Sequence, residues 1–125
     1  MQDEISAAMA AFSGSAREAL NAARRMIEEE AAAAPEIAEL EASLKWGQPS
    51  FAPTPKTGTP IRLGLTKSGA PALFVHCGTT LIEDWSRIAG PSARVEGNRA
   101  LILEPDDLES ARPFIRRALT FRRRT

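Results

Sequence analysis

The side chains best suited to chemistry are Arg62, His76, Thr79, Thr80, Asn98 and Arg99. Two guanidinium groups beside hydroxyls and the free N–H groups of a helix start make a setting for a carboxylate or a phosphate. That chemistry is binding rather than bond-making. His76 is the only histidine and Cys77 the only cysteine. As neighbours in an extended segment they point to opposite faces, whereas a Cys–His nucleophile pair needs direct hydrogen-bond reach. No HExxH, phosphate loop, GxSxG or dinucleotide fingerprint occurs, and tyrosine is absent. The plainer reading of the basic set is that Arg62 and Arg99 pair with Glu96 or Glu104, while the threonines and Asn98 serve caps and turns.

Carboxylates offer a second possibility. Glu28, Glu29 and Glu30 stand together, followed by Glu36, Glu39 and Glu41. Glu28, Glu29, Glu36 and Glu39 are the candidate ligands for iron or another hard cation, which takes several carboxylate oxygens. Consecutive helical residues point about 100° apart, so the triplet is not a preformed ligand set. Solvated helix surface is the plainer reading here.

The elements that must position these groups follow from pattern. Residues 3–12 suit a short amphipathic helix with Ile5, Met9 and Phe12. Ser15-Ala16-Arg17-Glu18 matches a capping box, and Leu20, Ala23, Met26, Ile27 and Ala31 carry a second helix to about residue 33. Pro35 suits a first-turn position, and Ile37, Leu40 and Leu44 share a helical side, so a third helix is expected up to Gly47. Gly47 is read as its C-terminal residue and Pro49 as its stop, with Trp46 and Phe51 as core anchors or a pocket wall at the corner. Residues 52–60, with three prolines, read as a loop. Ile61, Leu63 and Leu65 alternate with Arg62, Gly64 and Thr66 as in a half-buried strand. Residues 72–77 are apolar on both phases, as in a central strand covered on both faces. Thr79 or Thr80 then caps a helix with Leu81, Ile82, Trp85 and Ile88. Gly97-Asn98 marks a two-residue hairpin between residues 94–96 and 99–103. A last helix carries Leu108, Ala111, Ile115 and Leu119. Helices first, two hairpins, one helix between them and one after, make an α+β fold with an antiparallel sheet.

Composition sets the bounds. At 125 residues, with 43% hydrophobic and 26% charged side chains, the chain suits one domain over residues 1–125 with a basic end at about 119–125. One cysteine excludes an internal disulfide, and no apolar run approaches the roughly 18 residues of a membrane span. With an acidic N-terminus, a cytoplasmic protein without nucleic-acid or membrane partners is expected. The formal net charge of zero hides an asymmetry: residues 1–47 hold nine acidic and four basic groups, the rest seven and twelve. Such a split could make opposite faces on one domain or promote head-to-tail association. That leaves a self-association or protein-interaction domain, as monomer or homodimer, as an alternative role. Acids early and bases late, following helix dipoles and solvation, is the plainer reading.

Several segments resemble one known family. Glu41-Ala-Ser-Leu-Lys-Trp-Gly-Gln-Pro-Ser-Phe51 is similar to the signature of the YdhG-like family, a bacterial domain family of unknown function. Gly58-Thr-Pro-Ile-Arg-Leu-Gly64, His76-Cys-Gly-Thr-Thr-Leu81, Glu96-Gly-Asn-Arg-Ala100 and Ala118-Leu-Thr-Phe121 continue the likeness in the family's order. Gly78 stands where related chains often have glutamine, and Phe121-Arg122 where Tyr-His is expected. The resemblance implies an α+β domain of this size, and it adds Lys45 and Trp46, which lie in the signature segment, to the candidate ligand-binding residues. Some relatives are described as frataxin-like iron-binding proteins, which makes iron the alternative cofactor. The expected role is a non-enzymatic binding or accessory domain with a small anionic ligand at Arg62, His76, Thr80 and Arg99.

Overall fold

The computed structural model describes residues 2–12, 14–45, 47–76, 80–90, 94–97 and 99–120. Two helices lead, α1 (Gln2–Ala11) and α2 (Gly14–Ala33). α2 buries Ala19, Leu20, Ala23, Met26, Ile27 and Ala31, one face at helical spacing. Its alanines let the backbone approach the sheet closely. The helix starts one residue before Ser15, so that serine lies within the first turn rather than at the cap.

The expected third helix does not form. Residues Glu39–Lys45 are strand β1, paired without interruption to β2 (Gln48–Thr54), from Glu39 opposite Thr54 to Lys45 opposite Gln48. Leu40 and Leu44 fit helical spacing, but with Ala42 they also alternate with Glu39, Glu41, Ser43 and Lys45. Pairing across Gly47 decides for the strand. Gly47 has φ 78°, so it serves the hairpin turn, not a helix end. The proline-rich loop is correspondingly shorter, because Ala52–Thr54 belong to β2. Pro49 and Pro53 are tolerated there because β2 pairs with the next strand only at Ser50 and Phe51.

The remaining strands are β3 (Ile61–Leu65), β4 (Pro71–Phe74), β5 (Val95–Glu96) and β6 (Ala100–Ile102). All pairings are antiparallel and the sheet order is β1-β2-β3-β4-β6-β5. Helix α3 (Leu81–Ala89) carries the chain from β4 to the far edge, and β6 returns beside β4. Glu96 opposes Ala100, so three residues rather than two join β5 to β6. Arg99 is thereby left outside the ladder, although its carbonyl still accepts the Val75 N–H at 2.8 Å. After the 3-10 turn Leu108–Ala111, α4 (Arg112–Leu119) closes the fold, with Pro113 in its first turn where no N–H is needed.

The core lies between the helices and one face of the sheet. Phe51, Ile61, Leu63, Leu73 and Leu101 from the strands meet Leu20, Ile27, Phe114, Ile115 and Leu119. Trp85 of α3 packs edge-on against Phe114, with ring centroids 5.9 Å apart. On the opposite face, register aligns Ser43, Ser50, Arg62, Phe74, Ala100 and Glu96 in one row across all six strands. There Ala72, Phe74 and Ala100 form a small second cluster, so β4 is covered on both sides as its composition implied.

An ionic cluster ties α2 to α4. Arg112 reaches Glu29 at 3.0 Å, Glu30 at 3.1 Å and Glu109 at 2.9 Å, and Arg116 reaches Glu30 at 2.8 Å. Glu30, its side chain 10% exposed, is the most enclosed member. The hydrogen bond from Arg116, with that from Arg112, outweighs burial and holds its carboxyl below the usual glutamate range. A depressed carboxylate stabilises the fold above its unfolded value, and that contribution is lost as pH falls through the folded value. Glu30→Gln should therefore lower stability by about 2 kcal/mol at neutral pH. Denaturant titrations of both proteins should converge as pH drops below the ordinary glutamate value; a gap that persists in acid would contradict this assignment.

Candidate functional site

The basic residues anticipated from sequence converge. Lys45, Arg62, His76 and Arg99 line one cavity of about 430 Å3, together with Ser50, Thr59 and Pro60. That volume lies in the range of small-molecule sites, roughly 300–1,000 Å3. Each wall comes from a different piece of chain. Lys45 ends β1, Ser50 lies early in β2 and Arg62 early in β3. His76 stands two residues past β4, on the face to which Phe74 also points, and Arg99 precedes β6. Thr59 and Pro60 complete the rim from the loop before β3.

Alternation along the strands explains the arrangement. Ser50 and Phe51 are neighbours with opposite directions: Phe51 enters the core, and Ser50 faces the cavity, 1% exposed. Ser50 and Arg62 are cross-strand partners, as are Arg62 and Phe74. The Arg62 guanidinium sits over the Phe74 ring, 5.9 Å from its centroid, a cation–π contact that restrains the long side chain. Loop 55–60 is pinned to the end of α4 by two bonds. Thr57 Oγ1 donates to the Leu119 carbonyl at 2.8 Å, and the Thr59 N–H to the Ala118 carbonyl at 2.9 Å.

The electrostatics are one-sided. Three permanent cations and one imidazole face the space, and no carboxylate stands among its described lining residues. The two carboxylates named as competing partners have other contacts. Glu104 pairs with Arg94 at 2.8 Å. Glu96 accepts the Lys67 N–H at 3.4 Å and stands three strands from Arg62 in the cross-sheet row. At about 4.8 Å per strand that separation is too large for a direct pair. Such a cavity suits a small carboxylate or phosphate held by charge-assisted hydrogen bonds.

Not every anticipated residue is brought here. Thr80 does not line the cavity; it stands at the start of α3, where its hydroxyl donates to Asp84 Oδ2 at 3.0 Å. Its side chain makes no capping bond to the helix backbone. Trp46, Thr79 and Asn98, with Cys77, lie outside the described residues. Ser50, Thr59 and Pro60 were missed. Ser50 would have been found by treating Gln48–Thr54 as a strand, which puts it on the side opposite Phe51.

The carboxylate set is not assembled as a metal centre. Glu28 accepts from Arg24 at 3.2 Å and Glu29 from Arg112 at 3.0 Å. Glu39 lies on β1 rather than on a helix, because the segment after Pro35 pairs with β2. Glu28 and Glu39 do border one shallow depression of about 300 Å3. Among the described residues, no three His, Cys, Asp or Glu side chains are placed to hold a metal ion. Nor, among them, is any helix long and apolar enough to cross a membrane.

Comparison with protein-family models, with curated proteins and with solved structures gives no match.

Proposed function

We propose that this chain is a non-enzymatic small-anion-binding or accessory domain of the YdhG-like kind, with its ligand held between Lys45, Arg62, His76 and Arg99. The observation that carries this reading is the convergence of those four side chains on one cavity whose described lining contains no carboxylate. Side chains from separate strands and loops bring three cations and an imidazole to this cavity, and a positive potential of that kind favours an anion there. A ligand with one carboxylate or phosphate matches the two-guanidinium geometry, and the Pro60 and Thr59 rim leaves room for a small apolar part.

The test uses inorganic phosphate and citrate as probes, followed by amide chemical shifts and calorimetry. Saturable shifts at Ser50, Arg62, His76 and Arg99 are expected. Arg62→Ala and Arg99→Ala should each weaken binding by about tenfold while keeping the native circular dichroism spectrum. Unsaturable shifts with both probes, or affinity unchanged in both variants, would remove the proposal.

A further inference from the structure

The two edges of the sheet are built differently. β5 is two residues long, a short edge that offers little to a passing strand. β1 is seven residues long, contains no proline, keeps an unbroken register with β2, and among the described residues pairs with β2 alone. Leu44 on this edge is 37% exposed. Long edge strands of this kind are templates for pairing.

The backbone polarity of β1 follows from its hairpin. Lys45 and Gln48 flank a two-residue turn, a position that in such hairpins is a hydrogen-bonded pair. By alternation Lys45, Ser43, Glu41 and Glu39 should therefore point their backbone groups at β2. The Thr54 hydroxyl donating to the Glu39 carbonyl at 3.2 Å agrees with that phase. Leu40, Ala42 and Leu44 are left with outward N–H and C=O groups.

We infer that β1 is a homodimer interface, pairing antiparallel with β1 of a second copy about a two-fold axis at Ala42. In that register the outward groups of Leu40 meet those of Leu44 in the second copy, and Ala42 meets Ala42. The side chains agree with the backbone. Glu39 of each copy falls opposite Lys45 of the other on the open face, and Leu40 falls opposite the exposed Leu44 on the helix side. Glu41 meets Ser43. Shifting the strands by two residues toward the Glu39 end stacks Glu41 on Glu41, a like-charge pair that disfavours that register. Shifting them the other way shortens the ladder. An isologous pairing of this kind closes at two copies and gives one continuous twelve-stranded sheet, twice the six of one chain.

Sedimentation velocity over a concentration series tests this. An interface of one strand pair is small, so a dissociation constant on the order of 10 µM is expected for the native chain. Glu39→Lys places lysine against lysine twice per dimer and should weaken association by about tenfold or more. The double reversal Glu39→Lys with Lys45→Glu should restore the dimer. Ala42→Pro removes an outward N–H without touching the β1–β2 ladder and should give a folded monomer, checked by circular dichroism. A native chain that stays monomeric up to about 1 mM would overturn the proposal. So would Glu39→Lys dimerising like the native chain, or a double reversal that stays monomeric.

Discussion

Phe51→Ala should destabilise the fold by about 4 kcal/mol, a large part of the 5–15 kcal/mol typical of a domain. Phe51 is 2% exposed and opposes Ile61 on the helix side of the sheet. Arg24 of α2 lies over its ring, 5.5 Å from the centroid, so the side chain joins β2 to the helix layer by both apolar and cation–π contact. Truncation leaves a cavity that the flanking strands cannot fill, since β2 is held in register by seven pairs to β1. Denaturant unfolding should show a lower midpoint with an unchanged slope, and thermal unfolding a drop of about 15 °C. A loss under about 1 kcal/mol would mean that Phe51 is not the anchor described. Ser50→Ala, one residue away, should behave oppositely: little effect on stability, but weaker phosphate binding if the cavity is the site.

Gly58→Ala should cost about 3 kcal/mol and loosen the cavity rim at the same time. A β-carbon at residue 58 would run into the backbone of Ala118 and Leu119, atoms that no side-chain rotation can move away. The loop must then lift from α4 and lose the bonds from Thr57 and Thr59 to the Leu119 and Ala118 carbonyls. Thr59 and Pro60 form part of the cavity wall, so the displacement should carry into the site. Hydrogen exchange should accelerate at Thr59 and at the last turn of α4, while the β1–β2 hairpin keeps its protection. If exchange rises equally everywhere, the glycine acts on global stability and the loop is not a separate latch. If stability is unchanged, the close approach at Gly58 is not required.

Both effects trace to close packing that one-dimensional pattern conveys unevenly. Local chemistry was enough for the amphipathic spacing of α2, the alternation at Ile61–Leu65 and the two-sided apolar run of β4. Each of these depends on neighbours within a few residues, where 3.6- and 2-residue periods are directly visible. The α+β class followed from them. Arg62, His76 and Arg99 were picked out, with Thr79, Thr80 and Asn98, by residue type at the ends or outward phases of expected strands. Lys45 and Trp46 entered through the family resemblance, in a segment expected to be helical.

The segment after Pro35 had to be decided by the tertiary structure. Leu40 and Leu44 satisfy both periods, and only the partner strand beyond Gly47 selects the extended form, because its hydrogen bonds and the burial of Phe51 are non-local. The same non-local register put Ser50 beside Arg62, moved Glu39 from the imagined helical ligand set to a sheet edge, and brought Lys45, His76 and Arg99 to one cavity. Residue type told which side chains can hold an anion. Strand pairing decided which of them meet, because distance across a sheet is set by register and strand order, not by separation along the chain.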